Sequence, residues 1–464
     1  MGYQKALLKL EIKDIVLVKP TKPTPSCLLS LSTIDNKAYN DEICQTIHVY
    51  RSSIHNSPNN SFNPSHLIKQ ALSKSLFYYY PLAGRLVKHA DDGKLRVKCN
   101  PNEENYGVPV LEANAKCTLS SLHYLDNTDT DIAKHLMLDL PSPHDKTYPL
   151  VLMVTKFLCG GFTIGMGVSH ALCDGFGGSQ FFKSIVELAS GRIEPSVKPV
   201  WERERLVGSI TKQPFQSLID KDLAAFSPFL QPKTIIKQYC FKIESDVIKR
   251  LKMSLMKESE SHSNITTFES LAAYVWRSKA RALKLSSNGK TVLIMEVGMR
   301  GKNLKDYEYT LPEGYYGNAI VDADLVLNVN ELNEKPLSEI VKLIKETKNV
   351  ASTIDYVRKS IDTMETIKQE EEEEDEDLNI DDAVMYVTDW KHLGFMESVD
   401  FEGYELVNLV PAPCNLFKCL DTCIFMSQNK IDDPILGEGL RIFISLPVAA
   451  MPKFKEEIDA LRFL

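Results

Sequence analysis

The sequence predicts an α/β or α+β protein of two similar-sized halves, each mixing sheet and helix, and three observations carry that prediction. First, 464 residues are too many for one hydrophobic core and fit two or three domains. Second, stretches with the two-residue alternation of a strand and stretches with the 3.6-residue period of a helix occur in both halves. Third, residues 187–212 lose regular apolar spacing and gather Pro195, Pro199 and many charges, which marks a connection between halves. The expected division is an N-terminal domain at 1–190, a crossover loop at 191–213 and a C-terminal domain at 214–464.

Taken in order, Val16 and Val18 open a first strand, and the threonines and prolines of 20–25 make an extended crossing. Pro64 suits a first helical turn, Leu67, Ala71, Leu72 and Leu76 share the face that follows, and Pro81 and Gly84 end the pattern. Short strands are predicted at 95–99 and 108–111, and an amphipathic helix at 131–140, stopping before Pro141. The apolar run 149–158 turns at Cys159-Gly160-Gly161 into a second arm ending at His170, a predicted hairpin.

The second half resumes with a strand at 238–243 and a helix at 245–257. Thr266-Thr267-Phe268-Glu269 has capping-box spacing, with Thr266 as N-cap and Glu269 reaching back. Strands are predicted at 292–297 and 319–326, a long helix at 337–357, strands at 383–390, 404–410, 422–427 and 441–446, and a closing helix at 452–461. Residues 370–377 are eight consecutive acids, whose mutual repulsion predicts a mobile loop.

One stretch carries chemistry. Phe162, Ile164, Met166 and Val168 alternate as a strand does, and the alternation stops at His170. Gly175, Gly177 and Gly178 then break the chain before Phe181, Phe182, Ile185 and Leu188 resume at helical spacing, with Gly191 as the stop. A buried strand thus delivers an imidazole to a glycine-rich turn at the edge of a core, the position of a general base. His135 and Asp139 repeat the His-x-x-x-Asp spacing inside the predicted helix at 131–140 and read as a solvated or capping pair.

Composition removes several function classes. A net charge of −8 gives no support to nucleic-acid binding. No apolar run reaches the length of a membrane span, and the first residues lack the apolar core of a signal peptide. The ten cysteines are scattered, and Cys414, Cys419 and Cys423 lack the paired spacing of a zinc site, so reduced thiols, no metal and a cytoplasmic location are expected. No Gly-x-Ser-x-Gly elbow occurs, and the Gly165/Gly167 pair lies inside a strand rather than after one, so neither a serine hydrolase nor a dinucleotide site is predicted.

Four motifs in order carry a family resemblance that runs nearly end to end. They are Tyr80-Pro81-Leu82-Ala83-Gly84-Arg85, His170-Ala171-Leu172-Cys173-Asp174-Gly175, Thr267-Phe268-Glu269-Ser270-Leu271-Ala272-Ala273-Tyr274-Val275-Trp276-Arg277 and Gly314-Tyr315-Tyr316-Gly317-Asn318-Ala319. With these the chain resembles the BAHD acyltransferases of plants, and with Val387-Thr388-Asp389-Trp390 the branch of taxane and benzyl-alcohol type enzymes. The resemblance implies a chloramphenicol-acetyltransferase-like pair of domains with an active-site channel at their interface, a segment near 400–423 being open to packing with the N-terminal domain. It implies a monomer that uses acyl-CoA as co-substrate, binds no permanent cofactor, and acylates a hydroxyl or amine of a plant specialised metabolite. The candidate catalytic set is His170 as general base, Asp174 and Asp400. Asp174 is expected to turn away from substrate and pair with an arginine, for which Arg300 is the candidate. Asp400 opens Asp400-Phe401-Glu402-Gly403-Tyr404, which stands where the family has Asp-Phe-Gly-Trp-Gly, a motif that supports structure and coenzyme A binding. Lys252, beside Lys249, Arg250 and Lys257, and the helix start at Thr266 and Thr267 are the candidates for holding coenzyme A phosphates. Asn318 is a candidate oxyanion donor. The alternative is a diverged member that binds acyl-CoA or a metabolite without catalysis. A carrier-dependent condensation domain fits less well, because Ser169 stands where such domains carry a second histidine.

Overall fold

The computed structural model describes residues 8–38, 40–52, 63–126, 130–140, 147–210, 221–231, 233–259, 264–301, 310–370, 383–397, 400–401, 403–413, 422–431 and 439–464. Glu402, Cys414, Cys419 and all but the first residue of the acidic run 370–377 lie outside them. In chain order the first half supplies β1 (Leu10–Val18), β2 (Cys27–Ser30), β3 (Ile43–Ser52), α1 (Pro64–Tyr78), β4 (Arg85–Lys88), β5 (Leu95–Cys99), β6 (Val108–Ala115), β7 (Leu150–Lys156), β8 (Phe162–Ser169) and α2 (Gly175–Ala189). The second half supplies β9 (Ile236–Ile243), α3 (Ser245–Glu258), α4 (Thr267–Ala282), β10 (Lys290–Gly298), β11 (Ile320–Asn328), α5 (Val329–Glu334), α6 (Leu337–Ala351) and α7 (Ile354–Glu370). It ends with β12 (Val384–Asp389), β13 (Tyr404–Pro411), β14 (Thr422–Ser427), β15 (Leu440–Pro447) and α8 (Met451–Ala460).

Two six-stranded mixed sheets result, ordered β1-β6-β7-β8-β3-β13 and β11-β10-β12-β14-β15-β9, with a small sheet β2-β5-β4 beside them. The strand β13 comes from the second half but pairs antiparallel with β3, from Tyr404↔Ser52 to Pro411↔Thr46, so the first sheet is completed by chain from beyond the crossover. Helices α1 and α2 cover the first sheet through Leu72, Leu76, Phe181 and Ile185. Helices α3 to α8 cover the second through Leu251, Trp276, Ile344 and Phe454. A third apolar layer, with Ile47, Val49 and Leu409 from one sheet and Met426 and Phe443 from the other, forms the seam between them. Area burial of this kind is the main term that holds such a fold. Among the described residues no helix is long and apolar enough to cross a membrane.

Strand β3, the segment 131–140 and the helix at 337–357 differ from expectation. The central strand β3 has no counterpart in the sequence reading, because Thr46, Ile47, His48, Val49 and Tyr50 are all buried and a strand covered on both faces shows no alternation. The predicted helix at 131–140 is only a short 3₁₀ turn, Asp131–Leu136, followed by extended backbone at Met137. That segment lies flat on β8: a Cβ on Gly165 would stand 2.3 Å from the Leu136 carbonyl oxygen, so strand contact replaces coiling. The long helix expected at 337–357 is two, broken where the Ser352 hydroxyl donates back to the Lys348 carbonyl at 2.8 Å.

Candidate active site

Strand β8 is buried along its whole length, between β7 and β3. At its end the Ser169 amide donates to the Pro149 carbonyl at 2.8 Å and the His170 amide to the Glu42 carbonyl at 3.0 Å. The Ser169 hydroxyl lies 3.2 Å from the Asn40 carbonyl and 3.2 Å from that of Asp41. His170 is therefore held by its backbone, yet it is partly exposed while Ala171, Leu172 and Cys173 after it are buried. Burial pushes the Cys173 thiol up to about 12, and Asp174 adds to this, so the cysteine three residues after His170 is a neutral thiol rather than a nucleophile.

The glycines do not form a turn ahead of the helix, as the sequence suggested; Gly175, Gly177 and Gly178 are its first turn. Asp174 is the N-cap, its Oδ1 accepting from the Gly177 amide at 2.9 Å. A Cβ at Gly177 would stand 2.0 Å from the Tyr316 carbonyl oxygen, so glycine here lets α2 pack against the second half of the chain. The other oxygen of Asp174 accepts from Arg300 at 2.6 Å and from the Ala319 amide at 3.0 Å. Arg300 also donates to the Gly317 carbonyl at 2.5 Å. The pairing with Arg300 expected from the sequence is present, and it commits Asp174 to binding the two halves together.

A second knot, which sequence reasoning missed, lies behind His170. Buried Arg203 donates to both oxygens of buried Asp35 at 3.0 Å and to the Leu172 carbonyl at 2.7 Å. A Cβ at Gly317 would meet Arg203 Nη1 at 1.7 Å, so the glycine makes room for the guanidinium. Asn318 Nδ2 donates to Asp35 at 2.8 Å and to the His170 carbonyl at 2.6 Å. Both amide hydrogens are thereby used inside the protein, which corrects the reading of Asn318 as an oxyanion donor. Nothing local marked this knot in the sequence, because Arg203 is one of three arginines, with Arg192 and Arg205, in a stretch read only as linker.

The second sheet faces the site with acids. In the register of β10 and β11, Glu296 opposes Asp322 and Ile294 opposes Asp324. Lys37 is hydrogen-bonded to Asp322. Burial raises the Glu296 carboxyl, and the neighbouring Thr388 hydroxyl and His170 oppose that rise. Burial and Asp322 push Asp324 up to about 7. A carboxylate inside an otherwise apolar strand, 292–297, was the sequence signal for Glu296.

Asp400 stands elsewhere. Its Oδ1 accepts from the Leu406 amide at 2.8 Å and faces Lys430 at 3.8 Å, and its side chain is 51% exposed. The adjoining Phe401 packs on Tyr50 and Phe162, with ring centroids 4.9 and 5.9 Å away. Phe162 opens β8 and His170 follows its last residue, eight positions and about 27 Å away at ~3.4 Å per residue. The structure thus brings Asp174 to His170 but leaves Asp400 at the far end of β8.

The capping box is formed as expected: the Glu269 amide donates to the Thr266 hydroxyl at 3.2 Å and the Thr266 amide to Glu269 Oε2 at 3.0 Å. Thr266→Ala should cost about 1 kcal/mol in a denaturant-unfolding midpoint. Lys348 reaches Glu269 at 3.2 Å and Lys345 the Asn264 carbonyl at 3.1 Å, so two lysines unforeseen from the sequence stand beside Thr266 and Thr267. Lys252 is partly exposed on α3, whereas its neighbour Arg250 is bonded to Asp246 and to the carbonyls of Arg462 and Leu464.

Comparison with known proteins adds to this geometry. The family model described as Transferase family matches residues 8–461. A spermidine coumaroyl-CoA acyltransferase of Arabidopsis thaliana is 38% identical, over 98% of this chain and 96% of its own. A spermidine sinapoyl-CoA acyltransferase of the same plant is 39% identical, over 96% of each chain. The crystal structure of vinorine synthase superposes with a TM-score of 0.70 over 96% of each chain, at 19% identity, a likeness of fold.

Proposed function

Because the chain belongs to the Transferase family, the BAHD acyltransferases, and is by that membership an acyltransferase, we propose that it moves a hydroxycinnamoyl group from coenzyme A to an amine of a polyamine such as spermidine, with His170 as the general base. The observation that carries the reading is a partly exposed imidazole whose backbone is pinned on several sides, beside an aspartate already committed to an arginine. The two spermidine acyltransferases among the relatives favour an amine over a hydroxyl acceptor.

Thioester chemistry asks little more of the protein. His170 takes the proton that the acceptor nitrogen loses as it attacks the thioester carbonyl. The C–N bond forms, the C–S bond breaks, and the protonated imidazole returns its proton to the departing sulfur. No enzyme-bound acyl group is needed, in keeping with the neutral, buried Cys173 thiol. Lys252 and the start of α4 at Thr266 and Thr267 bind the phosphates of coenzyme A, helped by Lys345 and Lys348. Asp400 shapes the β3–β13 end of the first sheet and takes no part in proton transfer. The protein acts as a cytosolic monomer, the setting its scattered cysteines suit.

The test is thiol release from coumaroyl-CoA by purified protein, with spermidine, with a simple alcohol and with no acceptor. Release that requires spermidine, and falls at least about a hundredfold in His170→Ala with an unchanged melting temperature, supports the reading. Release only with the alcohol replaces the amine by a hydroxyl acceptor. Coumaroyl-CoA binding with no release under any condition makes the chain a binder rather than a transferase.

A further inference from the structure

The second sheet holds a carboxylate, Glu296, within electrostatic reach of His170, and the mechanism above leaves it unused. Glu296 lies on β10, two positions before Gly298, which pairs with Ile320. Asn318, two residues before Ile320, holds the His170 carbonyl. On the other side, Glu296 opposes Asp322, which holds Lys37, and Lys37 belongs to the same segment whose Asn40 and Glu42 carbonyls fix Ser169 and His170. Glu296 is therefore bracketed by groups bonded to the backbone on either side of His170, and it is partly exposed, as His170 is.

Its position is unfavourable in the resting protein. Like charges directly across a strand pair repel, and Glu296 faces Asp322 with Asp324 one step further on. Lys37 is hydrogen-bonded to Asp322 and its charge also draws the Glu296 carboxyl down, but no salt bridge to Glu296 itself occurs among the described residues. Among the described residues, the Thr388 hydroxyl from β12 also acts on Glu296, and the Tyr356 hydroxyl from α7 donates to the Asp322 carbonyl at 2.8 Å. Burial accordingly drives the carboxyl upward, and His170 is among the few groups that pull it back. A carboxylate with no salt bridge of its own, facing another carboxylate, gains from a positive charge that appears next to it.

We propose that Glu296 is a positioning residue that supplies the counter-charge for His170, stabilising the imidazolium that forms as the acceptor nitrogen attacks. The interaction is absent while the imidazole is neutral and present once it is charged, so it acts on the transition state rather than on substrate binding. It rests on His170 being the base, and it holds for a hydroxyl acceptor as for an amine.

Glu296→Gln keeps the shape and removes the charge. The expected result is a kcat with spermidine and coumaroyl-CoA lower by about 10- to 100-fold, with the KM for coumaroyl-CoA unchanged. Diethyl pyrocarbonate, which attacks the neutral imidazole, inactivates without any acceptor present, and its inactivation should persist to lower pH in Glu296→Gln than in the wild type. Glu296→Asp, which restores a carboxylate, should recover most of the rate and the wild-type inactivation profile. An unchanged kcat, or a fall in kcat with the inactivation profile unmoved in a variant of wild-type melting temperature, overturns the proposal. Should Glu296→Gln fail to fold, a Glu296→Asp protein with an inactivation profile shifted like that of an uncharged site overturns it as well. Full turnover in His170→Ala removes the base reading itself, an outcome read without any change at Glu296.

Discussion

Arg203→Met is expected to destabilise the protein by about 3–5 kcal/mol and to remove most of its activity. Arg203 is 1% exposed and Asp35 0%, so the pair is out of water. Burial works against the guanidinium charge, and Asp35, together with Tyr315, Tyr316 and Cys173, more than offsets it. Without the arginine, Asp35 keeps donors from the Ser32 amide, the Asn318 amide and Asn318 Nδ2 but loses its compensating charge. The Leu172 carbonyl, two residues past His170, loses its donor at the same time. The rings of Trp201 and Tyr316, 4.4 and 4.9 Å from the guanidinium, lose their cation. Because three segments meet on one side chain, the damage reaches the turn that carries His170. Urea-unfolding midpoints measure the stability loss. The double variant Asp35→Asn with Arg203→Met removes both charges and should recover part of it, since an uncompensated charge costs more than an absent pair. A loss below about 1 kcal/mol in Arg203→Met would mean that the pair is hydrated in solution.

Local pattern explains which parts of this molecule were legible in advance. The strand ending at His170 could be read because its alternation and its stop are written in consecutive residues, and the N-cap box at Thr266 because its two partners are three residues apart. The Asp174–Arg300 pair followed from family resemblance, not from spacing, since 126 residues separate the partners. The Asp35–Arg203 knot and the Glu296–Asp322–Lys37 group had no such help. Each joins segments that only the closed sheets bring together, and apart from Glu296 in its apolar strand each member looks ordinary alone. Strand β3 was invisible for the opposite reason: burial on both faces erased the alternation that marks a strand. Asp400 shows the limit of motif reading, because a position inside a family motif says nothing about distance from the reacting group.

His48 makes a second large effect expected, this time with pH. It lies on β3 at 0% exposure, stacked on Phe182 with ring centroids 3.6 Å apart. Burial lowers its pKa to about 3 against the opposing pull of the Ile164 carbonyl across the strand pair, and neither ring nitrogen reaches hydrogen-bond geometry. The folded chain thus refuses a proton that the unfolded chain accepts near pH 6.5. Below that pH the unfolded state binds the extra proton, so stability falls as pH falls, by about 1.4 kcal/mol per pH unit, until the folded pKa is reached. Asp324 acts in the other direction: its carboxyl is raised to about 7, so the folded state binds the extra proton and stability grows as pH drops through that value. The slope of the wild type alone therefore mixes two opposed terms, and the comparison with His48→Leu isolates one. Between pH 6.5 and 5 the variant should gain about 2 kcal/mol relative to the wild type, read from urea midpoints at matched ionic strength. Parallel curves for the two proteins would mean that the ring takes up its proton without unfolding, and that the seam between α2 and the first sheet admits water.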